Sequence, residues 1–229
     1  RTHSRFRGPD SKLSAYIALL IAAIPVSQSA TADIVRAERA RLNDCIELSY
    51  EEPETALEDS LRWIGEGARP AARYCNAMAL LGLGEYREAA ARLEELANAP
   101  DAGGLGERAT YLAQAGNAWL VAGYPDAAIV ALTNALKITP DDPAILADRA
   151  AAYLGTDQYE AAIADLDAAL VLANTVDALQ MRAQAYLETD DLPAAEMDVN
   201  RALLLDPEDI NTLVLRGHIR EAKRVADED

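Results

Sequence analysis

The sequence predicts an all-α protein built from repeated pairs of antiparallel helices, and three observations support this prediction. Three stretches of the chain align with one another at periods of 34 and then 33 residues. The composition is 51% hydrophobic but only 5% aromatic, with many Ala and Leu residues, which favours closely packed helices. The sequence also lacks alternating β-branched runs between paired turn signals, so no strand is expected.

The N-terminal segment, residues 1–32, is predicted to be a signal peptide. Arg5, Arg7 and Lys12 precede the apolar run Leu13–Ile24, which is followed by a small, polar stretch. The best cleavage site is Ala30-Thr31-Ala32, near Ala32, and cleavage after Ala30 is the nearest alternative. A retained membrane anchor is the other interpretation, although the apolar run is shorter than the ~20 residues that cross a bilayer. The mature chain is therefore expected to be periplasmic or secreted, without membrane insertion.

The charge of the chain limits the class of partner. The formal net charge is −17, and residues 1–32 hold four basic residues and one acidic residue, so the mature chain carries a charge of about −20. Such a charge disfavours nucleic acid, which needs a basic surface. It favours partners with basic character, and an acidic surface that only keeps the protein soluble is the alternative.

The repeated stretches carry the same residue types at the same positions. The copy at 109–142 supplies Leu112, Gly116, Trp119, Gly123, Ala128, Leu132, Ala135 and Pro140; the copy at 143–175 supplies Leu146, Ala150, Tyr153, Asp157, Ala162, Leu166 and Ala169; the copy at 176–209 supplies Leu179, Ala183, Tyr186, Asp190, Ala195, Val199, Ala202 and Pro207. Small residues let two helices approach closely, and Gly or Asp suits the turn that ends the first helix.

This pattern of large, small and aromatic residues resembles the tetratricopeptide repeat, a family of helix pairs. The resemblance implies a right-handed α-solenoid of antiparallel helix pairs, the tetratricopeptide superhelix, that serves protein–protein interaction. A weaker, tetratricopeptide-like copy spans 70–103, with polar Arg73 and Asn76 at usually apolar positions, and a divergent N-terminal helical unit spans 33–69. The segment 210–229 is expected to form a capping helix and an acidic tail, which brings the count to about eleven helices.

The N-terminal half is also predicted to contain a break between two helices and a linker between two repeat copies. In residues 33–69, helices over Ile34–Tyr50 and Glu54–Ile64 are expected to break at Pro53. Between the copies at 70–103 and 109–142, the linker Asn98–Gly106 contains a proline and paired glycines, which predicts a hinge or a long loop.

Catalysis is not expected, and neither is a bound metal or cofactor. The mature chain contains one histidine, His218, and two cysteines, which is too few for a zinc site or the common nucleophilic constellations. His218 is expected to lie half-exposed on the capping helix, away from any pocket. Gly103-Gly104 and Gly106 lack the Lys-Ser/Thr sequence of a phosphate loop.

Arginine recurs at the seventh position of three successive repeats, as Arg149, Arg182 and Arg216. An arginine ladder could bind acidic ligands. The alternative interpretation, which we favour, is that each arginine pairs with a carboxylate of the preceding repeat, for which Asp165 and Asp198 are suitable partners.

The resemblance also implies a partner-binding groove on the first helices of the repeats, lined by positions 2, 5, 9 and 12. Those residues are Thr110, Ala113, Asn117, Leu120, Ala144, Ala147, Ala151, Leu154, Asp177, Gln180, Gln184 and Leu187. An extended peptide or helix with basic character suits them. The chaperone-binding clamp of the family is not matched, since only Asn117 fits it, so an Hsp70- or Hsp90-type tail is not expected. The alternative role is a structural subunit or scaffold of a cell-envelope assembly.

A disulfide is predicted between Cys45 and Cys75. These are the only two cysteines of the chain, and export would bring both into an oxidising compartment. In the repeat register, the two residues fall on neighbouring first helices. A redox-active pair is the alternative, although the cysteines lack the Cys-x-x-Cys spacing of such pairs.

Overall fold

The computed structural model describes residues 28–228, with side chains described from residue 32 onward. These residues form eleven α-helices and no strand, which confirms the predicted all-helical fold. The helices are α1 (Gln28–Glu51), α2 (Pro53–Gly65), α3 (Pro70–Gly82), α4 (Tyr86–Asn98), α5 (Leu105–Val121), α6 (Pro125–Ile138), α7 (Pro143–Leu154), α8 (Tyr159–Leu172), α9 (Val176–Glu188), α10 (Leu192–Leu205) and α11 (Ile210–Ala226).

Residues 1–38 and 39–229 cluster as two separate units. The predicted signal peptide lies outside the described residues up to residue 27, including its apolar run. Within residues 28–228, none of the helices combines the length and the hydropathy that a membrane span requires.

The second unit is a stack of helices in which each helix packs on the next along the chain. From α2 to α11 every consecutive pair is in contact. In addition α5 contacts α7, α7 contacts α9, and α9 contacts α11, whereas α6, α8 and α10 make no comparable contacts with one another. The first helices of the pairs therefore form one layer and the second helices form the other layer.

The first helix of each pair ends in the same way, because one residue adopts a left-handed conformation. These residues have φ values of 76° at Gly84, 82° at Gly123, 58° at Asp157 and 61° at Asp190. In each case the next amide donates to the carbonyl five residues back, for example Tyr124 N to Trp119 O at 2.9 Å and Asp191 N to Tyr186 O at 2.8 Å. This is the Schellman arrangement, and it confirms the predicted turns at positions 123, 157 and 190.

The helices of a pair approach closely where the sequence places small residues. A Cβ atom built on Gly116 would lie 2.4 Å from Cγ of Leu132, so only glycine fits at this contact between α5 and α6. The equivalent residues Ala77, Ala150 and Ala183 are fully buried. The core is thus built from Ala and Leu, with half-buried aromatic residues such as Trp119 packed at its margin.

The N-terminal helices contain the predicted disulfide. Cys45 in α1 and Cys75 in α3 are bonded, with their Cα atoms 5.9 Å apart, and they pack against the buried Trp63 of α2. Glu52 separates α1 from α2 directly before Pro53, as the sequence predicts. The polar residue Asn76 is buried, but its amide donates to the Ser60 hydroxyl at 3.0 Å. Its position therefore does not weaken the packing, contrary to what its polarity suggests.

The linker between α4 and α5 is shorter than predicted and is held in place. Asn98 is the last residue of α4, and Leu105 and Gly106 belong to α5. Six residues therefore remain between the helices. Arg108 donates to Ala97 O at 2.8 Å and to Ala99 O at 2.9 Å, and Arg73 pairs with Asp101 at 2.6 Å. Ala102 is buried. The linker is therefore a six-residue loop that side chains from both flanking helix pairs contact.

Candidate partner-binding groove

The exposed surface of the first-helix layer, formed by α3, α5, α7, α9 and α11, is called the groove below. Three depressions lie along it. The N-terminal depression, about 370 Å³, is lined by Tyr50, Met78, Leu81, Gly82, Tyr86, Gln114, Asn117, Ala118 and Val121. The middle depression, about 210 Å³, is lined by Gly106, Ala109, Thr110, Ala113, Gln114, Asn117, Thr139, Asp142, Ala144, Ile145 and Asp148. The C-terminal depression, about 350 Å³, is lined by Leu154, Gln180, Met181, Gln184, Asn211, Val214, Leu215 and His218.

The N-terminal and middle depressions are neighbours, because Gln114 and Asn117 line both. The amide of Gln114 donates to the Tyr74 hydroxyl at 2.7 Å, and the rings of Tyr74 and Tyr111 lie 5.1 Å apart. These contacts fix α3 against α5. Oε1 of Gln114 is buried without a hydrogen-bond partner.

The middle depression has an acidic wall. Asn117 Nδ2 donates to Asp148 Oδ2 at 2.8 Å across the boundary between α5 and α7. Burial raises the pKa of the Asp148 carboxyl, the hydrogen bond from Asn117 lowers it, and the nearby Asp142 raises it further. None of the three depressions is lined by Lys or Arg. A cationic group that entered the middle depression would therefore meet an uncompensated carboxylate.

The twelve groove residues predicted from the sequence fall into three groups. Seven of them line depressions, namely Thr110, Ala113, Asn117 and Ala144 in the middle and Leu154, Gln180 and Gln184 at the C-terminal end. Ala147 and Ala151 are half-buried, and Asp177 is exposed. Leu120 and Leu187 are half-buried and pack against the cores of their repeats, so their side chains contribute mainly to stability.

Two polar residues of this set are engaged by neighbouring groups. Gln180 donates to Asp209 and, at 2.6 Å, to the Thr212 hydroxyl, which ties α9 to the start of α11. Gln184 donates to Glu188 at 2.6 Å. A partner that bound these amides would have to replace hydrogen bonds that are already present.

The sequence reasoning missed the two ends of the groove. Met78 and Leu81 occupy positions 9 and 12 of the copy at 70–103, and Asn211, Val214 and His218 occupy positions 2, 5 and 9 of α11. The same register rule would have found these five residues if it had been extended beyond the three clearest copies. His218 is exposed and borders the C-terminal depression, so the expectation that it lies away from any pocket is wrong.

Two arginines of the ladder, Arg149 and Arg182, pair with the predicted carboxylates Asp165 and Asp198, but each aspartate lies on the second helix of the same repeat and not of the preceding one. Arg149 binds Asp165 through Nε and Nη2, both at 2.7 Å, and Arg182 binds Asp198 in the same way at 2.7 Å. Each pair joins the two helices of one repeat, and only an additional ion pair, between Arg182 and Asp167, crosses to the preceding repeat. The hydrogen bonds that the two guanidinium groups donate to these carboxylates raise the pKa of both arginines, which stay charged.

No group that could bind a metal ion, that is three or more clustered His, Cys, Asp or Glu residues, occurs among the described residues. The groove therefore offers apolar depressions, amide groups and one acidic wall as its means of recognition.

The comparisons with known proteins agree with this fold. Residues 176–209 match the family model described as a tetratricopeptide repeat. TTC0263, a thermophilic tetratricopeptide repeat protein of Thermus thermophilus, is 26% identical over 81% of this chain and 98% of its own, with a TM-score of 0.54. The first tetratricopeptide domain of human RPAP3 is 25% identical over 53% of this chain and 96% of its own, with a TM-score of 0.51.

A third structure, MamA residues 41 to the end from Desulfovibrio magneticus RS-1, has a TM-score of 0.64 over 76% of this chain and 96% of its own. Its identity of 21% means that it supports the fold alone. A search of curated proteins finds no significant match. The fold is thus a solenoid of the tetratricopeptide type.

Proposed function

We propose that this chain is an exported protein–protein interaction module that binds a peptide or helix of a partner protein in the groove and catalyses no reaction. The observation that carries the proposal is the row of three depressions, apolar at both ends and acidic in the middle, without a lining Lys or Arg. Tetratricopeptide repeats generally serve as interaction modules, which supports the same conclusion.

The chemistry of the groove defines the ligand. Tyr50, Met78 and Val121 offer apolar contacts in the N-terminal depression, and Met181 and Val214 offer them in the C-terminal one. A ligand with apolar side chains at both ends and a Lys or Arg between them fits this order. The basic side chain would pair with Asp148 and favour its ionised form. Binding should therefore weaken as the pH falls through the raised pKa of Asp148.

The proposal places the mature protein in the periplasm or outside the cell. This part depends on the order of basic, apolar and small residues in the segment 1–32. Mass spectrometry of the protein recovered from the cell envelope should find an N-terminus near Asp33. Recovery of an intact, membrane-embedded Leu13–Ile24 segment would contradict export as a cleaved protein.

The groove is tested by crosslinked capture from the envelope fraction with Ala144→Arg, whose side chain is exposed and lines the middle depression. Ala168→Arg is the matched control, because Ala168 is exposed on α8 and lines none of the three depressions. Ala147 and Ala151 are less suitable because they are half-buried. Capture should be lost with Ala144→Arg and kept with Ala168→Arg. Equal capture by both variants would exclude the groove as the binding surface.

A second candidate is a structural subunit or scaffold of a cell-envelope assembly. Exposed apolar pairs at the ends of two second helices, Val171 with Leu172 and Leu204 with Leu205, favour it. They lie in the layer opposite the groove. Co-purification with stoichiometric partners that survives Ala144→Arg but not Val171→Asp together with Leu204→Asp would support this role instead.

A further inference from the structure

The two complete C-terminal helix pairs use one recognition pattern twice. In α7 and α9, an arginine follows a leucine by three residues and precedes an alanine, as in Leu146, Arg149 and Ala150. The arginine binds both carboxylate oxygens of an aspartate on the following helix at 2.7 Å. A bidentate pair of this kind fixes both the position and the orientation of the helix that carries the aspartate.

The helix that docks on this pattern also has a defined sequence. In α8 and α10 the aspartate is preceded by alanine at −3 and followed by Leu or Val at +1 and alanine at +4. These residues are Ala162, Asp165, Leu166 and Ala169 in α8, and Ala195, Asp198, Val199 and Ala202 in α10, and all of them are buried. The sequence Ala-x-x-Asp-Leu/Val-x-x-Ala therefore describes a helix that fits against the leucine, arginine and small residue of its partner.

The first-helix half of the pattern occurs a third time, in α11, as Leu213, Arg216 and Gly217. Here Arg216 is half-buried, as Arg149 is, whereas Leu213 and Gly217 are exposed. Leu213 is 36% exposed, whereas the equivalent Leu146 and Leu179 are 7% and 0% exposed. A Cβ atom built on Gly217 would meet nothing within 4 Å. Among residues 32–228, Arg216 makes no ion pair within 4.0 Å.

We propose that this face of α11 docks an amphipathic helix of a partner protein that carries the sequence Ala-x-x-Asp-Leu/Val-x-x-Ala. The aspartate would bind Arg216 and the apolar residues would cover Leu213 and Gly217. Arg220, one turn further along α11, extends the cationic stripe, so an acidic helix is favoured. The docked helix would continue the layer of second helices, and this face is distinct from the groove.

Two other occupants fit less well. The segment 1–27 holds four basic residues and a single aspartate that no alanine precedes at −3, so it lacks both the charge and the sequence. A second folded copy of this chain has the sequence in α8 and α10, but there the matching residues are buried against their own first helices. Neither the segment 1–27 nor a second copy therefore matches this face, and the proposal assigns the helix to a partner protein.

The probe is an acetylated, amidated peptide of residues 191–206, which carries the required sequence around Asp198. A lactam between Glu196 and Asn200→Lys, on the side of the helix opposite Asp198, keeps the isolated peptide helical. We expect saturable binding to the full chain in a fluorescence anisotropy titration. Arg216→Ala should weaken binding about tenfold or more, because it leaves the aspartate of the peptide unpaired. Asp198→Asn in the peptide should have a similar effect.

The controls separate charge from register. Arg87→Ala removes the same charge from an exposed position on α4 and should leave binding unchanged. Arg216→Asp should bind the peptide with Asp198→Arg better than the original peptide. Equal affinity of Arg216→Ala and the unmodified chain, or no saturable binding, overturns the proposal. A dimer of the chain that Arg216→Ala dissociates would assign the face to a second copy and also overturn it.

Discussion

Helices α1–α3 are linked by a disulfide, a buried neutral hydrogen bond and an exposed ion pair between Arg41 and Glu66, whereas helices α7–α10 contain two bidentate ion pairs between arginine and aspartate. In the first region Cys45 is bonded to Cys75, and Asn76 donates to Ser60 at 3.0 Å. In the second region arginine replaces Asn76 at the equivalent positions and binds a carboxylate on the following helix. Helices α5 and α6 lie between these regions and have Ala115 at this position, packed in a fully buried site with Ala131.

The comparison shows that the seventh position of the first helix can hold three different residue types, each with its own contacts, without a change in the geometry of the helix pair. Alanine brings the neighbouring helices together directly, arginine binds an aspartate of the following helix with a bidentate bond, and asparagine binds a hydroxyl of the preceding helix. The ends of the first helices differ in the same direction along the chain. Gly84 and Gly123 take the left-handed conformation in the N-terminal half, and Asp157 and Asp190 take it in the C-terminal half.

The largest effect is expected from Arg182→Ala. Asp198 is fully buried, and without Arg182 its remaining ion-pair contact is Arg201 at 3.5 Å. Loss of the bidentate partner of a buried carboxylate should lower the free energy of unfolding by about 3 kcal/mol or more. The measurement is urea denaturation followed by circular dichroism. Arg149→Ala serves as the matched comparison and should cost less, because Asp165 retains some solvent exposure.

The double variant Arg182→Ala, Asp198→Ala sharpens this test. It reproduces the alanine pair found at positions 115 and 131, and it removes the buried carboxylate. We therefore expect the double variant to be more stable than Arg182→Ala alone, and a further loss of stability would contradict the ion-pair explanation.

A smaller effect is expected where the first helices end. Gly84→Ala places a Cβ on a residue with φ of 76° and should lower the free energy of unfolding by about 1 kcal/mol. Asp190→Gly relieves the strain of a left-handed backbone at residue 190 and should raise the free energy of unfolding by about 0.5 kcal/mol. Asp157 is less suitable, because its carboxylate accepts a hydrogen bond from the Tyr159 hydroxyl at 2.8 Å. Thermal denaturation of both variants gives the comparison, and a shift in the same direction for both would contradict it.

The sequence predicted those features that depend on position along a helix. The helix count, the break at Pro53, the turns at Gly123, Asp157 and Asp190 and the disulfide all follow from register and local conformation. It failed where a long side chain could reach more than one neighbour. The guanidinium of Arg182 can reach both Asp167 and Asp198, and only the three-dimensional arrangement shows that the bidentate partner is Asp198.

The candidate site was predicted only in part for a related reason. Positions 2, 5, 9 and 12 were predicted to line the groove only in the three clear copies. The equivalent residues of α3 and α11, which line its two ends, were not among the predicted residues. The glycines of the linker at 98–106 predicted a loop but not the contacts that Arg108 and Arg73 make with it from outside. Such long-range contacts leave no local signal in the sequence.

The disulfide stabilises the N-terminal half of the stack and the Arg–Asp pairs stabilise the C-terminal half. Loss of either should therefore destabilise mainly the helices that contain it. Hydrogen exchange of the oxidised and the reduced protein tests this claim most directly. The disulfide closes a 30-residue separation, for which the loop-entropy relation gives about 3–4 kcal/mol. Reduction should therefore speed amide exchange in α2 and α3 by about 100-fold or more and leave α7–α10 unchanged, since stabilities in a repeat stack couple mainly between neighbours. Equal acceleration from α2 to α11, or no acceleration in any helix, would contradict the claim.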